Sequence, residues 1–162
     1  MTWDEVDFDS ATWVVPSARM KAGVEHRVPL STRAIQILEN QRTKAGHPEL
    51  VFPTVRGKVA TDMILTKFLR DKRVASSVKG RCATAHGFRS SFRDWASENS
   101  FSQEAAERAL SHTVKSSTEW SYHRTDLLDQ RRAMMQHWSN FLCGKSKNKT
   151  NVVNLARRNE KK

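Results

Sequence analysis

Tyr122 is the only tyrosine in the chain, and it stands ten residues after Leu110-Ser111-His112. Further upstream lies His86-Gly87-Phe88-Arg89. A lone phenol, two imidazoles and a guanidinium form a set with a chemical use. They could attack phosphorus, move protons and hold the oxygens of a phosphodiester. Cutting such a bond without metal or nucleotide fuel needs a nucleophile, a base, cations for the non-bridging oxygens and an acid for the departing oxygen. Tyr122 suits the first role. A free phenol ionises near pH ~10, so nearby cations would have to favour the phenolate. An ester to tyrosine would keep the bond energy and allow rejoining. A tyrosine in general is more often a core residue with a satisfied hydroxyl. Here Glu119, Ser121, His123, Arg124, Thr125 and Asp126 surround it, a poor context for a core position.

Arg89 suits the clamp, because a planar guanidinium grips two phosphate oxygens at once. His86 is three residues away, on the same helical face, and could shuttle a proton. Alone, this pair reads equally as a solvated helix face. His112 ends a helix-like stretch, where a histidine is also stabilised simply by the helix dipole. Lys21 is placed near a hairpin tip, and its ammonium could donate to a leaving oxygen; alone, it reads as a solvated turn lysine. No histidine–cysteine spacing suggests zinc, and no glycine-rich phosphate loop or serine nucleophile elbow is present.

The elements that must position these groups can be read from pattern. Ala11–Val15 and Arg27–Leu30 suggest two strands joined through a turn at Gly23, with Pro29 at an edge or strand end. Ser31 or Thr32 can cap a helix whose inner face is Ala34, Ile35 and Leu38, and which stops at Gly46-His47-Pro48. Val51–Pro53 should be a short extended piece. Thr61 or Asp62 caps a helix with Ile64, Leu65, Phe68 and Leu69 as its buried stripe. Residues 70–80 read as a basic loop. Thr84 caps a helix to about Ser97, with Phe88, Phe92 and Trp95 facing the core. Ser102 caps another, with Ala105, Ala106, Ala109 and Leu110 inward. Lys115–Ser121 reads as loop. A last helix starts near Thr125 and carries Leu127, Leu128, Met134, Met135, Trp138, Phe141 and Leu142 on one broad face.

The 162 residues suffice for one domain with a real core. Lys plus Arg number 28 against 17 acids, a formal net charge of +11, which favours a polyanionic partner. Residues 143–162 carry seven bases and one acid, so +6 of that charge sits in the tail. Such segments are usually disordered, and act either as phosphate-following arms or as plain solubilising tails. Two distant cysteines make no disulfide framework. With no signal peptide and no long apolar run, a cytoplasmic protein that does not enter a membrane is expected.

Order and spacing together say more than any motif alone. The chain from Trp3 to about Leu142 resembles the C-terminal catalytic domain of tyrosine site-specific recombinases, in their phage and prophage integrase branch. The resemblance runs through Trp3-x-Glu5-x-Asp7, Arg19-Met20-Lys21, His26-Arg27-Val28-Pro29-Leu30-Ser31, Val51-Phe52-Pro53, His86-Gly87-Phe88-Arg89, Leu110-Ser111-His112 and the block from Tyr122 to Trp138. It implies an α+β fold, mainly helical, with a small antiparallel sheet near the N-terminus. Residues 1–142 would be a partial catalytic domain, and 143–162 a basic, disordered tail.

By the same resemblance, Lys21 is the general acid, His86 and Arg89 the second-motif pair, His112 the later histidine and Tyr122 the nucleophile. The implied reaction is DNA cleavage and rejoining through a 3′-phosphotyrosyl bond, with no cofactor or metal. The partners would be double-stranded DNA and other protomers, four on the DNA. Ser111 stands where the family more often has glycine, and His123 where it often has asparagine. A first catalytic arginine belongs upstream of Trp3, where this sequence has only Met1 and Thr2. The expectation is therefore a truncated integrase, inactive by itself. The rival reading is a basic DNA-binding remnant without catalysis. A basic RNA-associated protein is a weaker reading that leaves the histidine–arginine–tyrosine order unexplained.

Overall fold

The computed structural model describes residues 1–111 and 125–144. Strands β1 (Val6–Asp7), β2 (Thr12–Val15) and β3 (His26–Pro29) form one antiparallel sheet in the order β1-β2-β3. The β1–β2 turn is built on Asp7, whose Oδ1 accepts the N–H groups of Asp9 at 2.9 Å and Ser10 at 3.0 Å. This is the local trick by which a short acidic side chain closes a tight turn. Between β2 and β3 the chain makes a short 3₁₀ turn at Ser17–Arg19 and reverses at Gly23, where φ is +66°. Only glycine adopts that backbone freely. Pro29 ends β3 at the sheet edge, where its missing N–H breaks no ladder.

Helix α1 (Thr32–Ala45) begins where Ser31 Oγ accepts from Ala34 N at 3.2 Å and ends at Gly46, with φ +56°. It lays Leu38 into a cluster with Val6 and Val51, flanked by Met1, Trp3, Phe8, Trp13 and Leu30. Val51 is held there by its N–H to the Met1 carbonyl. After α2 (Met63–Asp71), helices α3 (Ala85–Glu98), α4 (Gln103–Ala109) and α5 (Leu128–Leu142) build a second cluster. Phe92, Trp95 and Ala96 of α3 meet Ala105 and Ala106 of α4 and Met134 of α5. Trp138 packs edge-on against Phe92 at 5.5 Å, which is the favoured geometry for two ring quadrupoles. The α+β architecture, mostly helical with an N-terminal three-stranded sheet, agrees with the sequence reading.

Several expectations fail in instructive ways. The stripe on α2 is not buried. Ile64, Leu65 and Phe68 are 45%, 61% and 57% exposed, and only Leu69 is covered, because no described element packs over that side. Phe88 is exposed as well: the first turn of α3 projects beyond the core that Phe92 and Trp95 enter. Phe141 and Leu142 are exposed at the end of α5. The basic stretch after α2 is less irregular than expected. Arg70 and Asp71 continue the helix, and an Ala75–Cys82 bridge closes a small reversal. Helix α5 starts at Leu128 rather than near Thr125, which instead uses its hydroxyl to accept from Leu127 N. The expected loop at 115–121 and the tail beyond 144 lie outside the described residues.

Glu5 is the ionic anchor of this half. Burial would raise its pKa, but the Trp13 indole, the Thr2 backbone N–H and Arg19 all donate to it and hold it at about 2. The folded value lies below the unfolded one, so this contribution is complete above the ordinary carboxylate pKa of 4.5 and is lost as pH falls toward 2. Arg19 is 44% exposed, so solvent screens part of the effect. Glu5→Gln should cost about 1–2 kcal/mol at neutral pH and flatten the acid limb of the stability curve between pH ~4.5 and ~2. Urea unfolding at stepped pH measures both. An unchanged acid limb would show that Glu5 carries no such linkage.

Candidate nucleic-acid-cleaving site

Helix α3 presents the first pair. Thr84 Oγ1 accepts Gly87 N at 3.1 Å, which satisfies one of the orphan N–H groups of the first turn. His86 sits in that turn with its side chain exposed. One turn on, Arg89 is partly buried, and its Nη2 donates to the Leu110 carbonyl at 2.5 Å. Leu110 ends α4, itself started by Ser102 Oγ accepting Ala105 N. A guanidinium at a helix C-terminus meets unpaired carbonyls and the negative end of the dipole. One donor is so used, and the planar fork has others to offer an anion.

A second donor approaches the same helix end. His26, the first residue of β3, lies against the Ala109 carbonyl. Burial pushes this imidazole below its ordinary 6.5, and the charges of Arg131 and Arg89 push the same way; the Ala109 carbonyl and Asp126 oppose them. The next residue, Arg27, donates through Nε at 2.9 Å to Asp126 Oδ2. Arg131 of α5 completes the arrangement. It is 1% exposed, donates Nη2 to the Arg27 carbonyl and Nη1 to the Asp126 carbonyl at 3.3 Å, and lies 3.9 Å from the Asp126 carboxylate.

Lys21 is exposed in the β2–β3 connection. Two residues before it, Arg19 pairs with Glu5. Five residues after it, His26 enters the network just described. Of the five groups named from sequence, Lys21, His86 and Arg89 are therefore described, on the hairpin and on α3; no direct contact joins them. His112 and Tyr122 lie outside the described residues. The sequence reading did not single out His26, Asp126 and Arg131. For Arg131 a signal existed. It falls four residues after Leu127 and three before Met134, in the middle of the apolar stripe of α5. A charged residue there must be buried or break the pattern.

The model of the phage integrase family matches residues 1–127. The chain belongs to the phage integrase family. Prophage integrase IntA of Escherichia coli (strain K12) is 34% identical over 140 residues, covering 86% of this chain and 33% of its own length. The integrase of Enterobacteria phage P4 is 33% identical over 160 residues, covering 86% and 35%. Prophage integrase IntZ of the same Escherichia coli strain is 32% identical over 142 residues, covering 86% and 34%. The chain thus spans about a third of the length of these relatives. No solved structure gives a significant match.

One sequence departure in this integrase-family chain gains a physical reading. Ser111 has φ +53°, left-handed backbone directly after α4. That is the position where glycine serves best, and the serine Cβ makes it strained. Ser111→Gly should raise the unfolding free energy by about 0.5–1 kcal/mol, seen as a higher urea midpoint with unchanged slope. A lower midpoint would show that the serine relieves more than it costs.

His26 supplies a pH signature. Its folded pKa lies below the unfolded value, so the unfolded chain binds the extra proton. Stability should hold above pH ~6.5 and decline as pH falls below it, and His26→Asn should remove that component. Proton NMR titration of the imidazole C–H should give a midpoint under 6.5. A midpoint at or above that value would contradict the half-buried, cation-flanked setting.

Proposed function

We propose that this chain is the DNA-cleaving part of a site-specific recombinase and cuts through Tyr122. The phenol oxygen attacks phosphorus, forming a 3′-phosphotyrosyl ester. The bond to the 5′ oxygen breaks, and that oxygen takes a proton from Lys21. Arg89 and His86 hold the non-bridging oxygens, and His112 accepts the phenol proton as the new bond forms. Rejoining reverses each step. Residues 1–142 act as the catalytic unit, and 143–162 is a basic tail. The partners are duplex DNA and further protomers.

One observation carries this reading. Leu110 and Asp126, the described residues on either side of the stretch with His112 and Tyr122, are held by neighbouring groups. At its start, Arg89 holds Leu110 and His26 faces Ala109. At its end, Asp126, four residues after Tyr122, is bound by Arg27, the neighbour of His26. The hairpin bearing Lys21 rises from the same two residues. The family match over residues 1–127 spans all five positions. Charge agrees: Arg70, Lys72, Arg73, Lys79 and Arg81 are exposed just before α3, and none of them has an acid partner among the described residues. Such cations suit a phosphate backbone.

A nicked suicide duplex, from which the cleaved end diffuses away, should capture this chain as a covalent adduct resistant to denaturation. Tyr122→Phe should abolish the adduct and leave duplex binding intact. Binding with no adduct at any exposure would instead favour a non-catalytic DNA-binding remnant.

A further inference from the structure

We propose that Arg131, acting with Asp126 and His26, is a positioning residue that sets where the Lys21 hairpin stands relative to Arg89. The proposal rests on the reading that Lys21 and Arg89 act on one phosphate. The problem it addresses is mechanical. Lys21 belongs to the sheet and Arg89 to the helices, and each half has its own apolar cluster. Hydrophobic contact is non-directional and does not by itself fix one cluster against the other to the precision that catalysis needs.

The polar contacts between the halves supply that direction. Among the described residues strand β3 is at the sheet edge, with no further strand beside it. Arg131 reaches from α5 to its carbonyl at Arg27, while its other arm takes the carbonyl of Asp126. Arg27 closes the triangle on the Asp126 carboxylate. His26, one residue along, lies against Ala109, and Arg89 is bonded to Leu110 next door. Arg89 and the base of the Lys21 hairpin are therefore joined through consecutive residues of one helix end.

The guanidinium is a poor choice if stability were its purpose. Burying a charge costs desolvation, and packed hydrocarbon often does better. Its Nε also finds no acceptor among the described residues. What it does supply is a rigid fork that spans two carbonyls from different segments. A lysine keeps the charge but delivers its donors from a single point.

The test is a distance measurement on the full chain, which does not require turnover. Cys82 and Cys143 are exposed and can be replaced by serine. Nitroxides at Lys21→Cys and Ser90→Cys, both exposed positions, then report the hairpin against α3 by pulsed electron resonance. The parent chain should show one narrow distance distribution. Arg131→Lys and Asp126→Asn should widen it roughly twofold, at temperatures well below each variant's melting point, because a tie has been released without unfolding either half. His26→Asn should widen it less. A variant that only lowered the melting point, with the distribution unchanged, would show a structural and not a positioning role. Should Arg131→Lys fail to fold, Asp126→Asn decides the matter alone: an unchanged distribution overturns the proposal. The tyrosyl adduct is read separately on the unlabelled chain, which keeps Lys21, so distances that widen on release in the labelled protein, with no adduct from the unlabelled one, would uphold the tie and count against the cleavage reading.

Discussion

A charge taken out of water must be met by something, and in this chain that requirement organises the contact between its two halves. Arg131 is 1% exposed on a helix otherwise devoted to Met134 and Trp138. Its neighbours are two backbone carbonyls and a carboxylate drawn from β3 and from the turn before α5. Those partners have no freedom to drift, because each is a group whose loss would leave a buried cation unmet. Further polar bonds follow the same line. Arg132 donates to the Ala11 carbonyl at 3.4 Å, and Thr32 donates to the Gln136 amide oxygen at 2.9 Å. The fold is thus two greasy clusters with a polar seam between them.

Much of the architecture was legible because it rests on local rules. Ser31, Thr84 and Ser102 were read as caps, and each accepts an N–H from its own first turn. Gly23 and Gly46 were read as reversal and stop, and both have positive φ. The apolar faces of α2 and of the first turn of α3 were misread for one reason. Periodicity tells which side of a helix is apolar but not whether another element arrives to cover it. Phe92 and Phe88 share a face by spacing, yet one is 5% and the other 51% exposed.

The candidate site divides in the same way. His86 and Arg89 could be paired from sequence because helical spacing puts them one turn apart. His26 could not, because its partners Ala109, Arg131 and Asp126 are eighty or more residues away, and no local rule connects them. Asp126 was noted only as polar company for Tyr122, whereas its carboxylate joins Arg27 across 99 residues. Resemblance suggested roles for single residues. What it did not convey is how two separately packed halves are kept in register.

The uncovered flank of α2 has a consequence for the chain in solution. Met63, Ile64, Leu65 and Phe68 expose a contiguous greasy ridge on a molecule whose net charge is +11. Mutual repulsion keeps such molecules apart when few counter-ions are present. At 0.15 M ionic strength the reach of that repulsion shrinks to about 8 Å, while the attraction between ridges is untouched. Added salt therefore takes away the repulsion between copies of this chain while leaving the attraction between their ridges in place, which favours self-association as ionic strength rises.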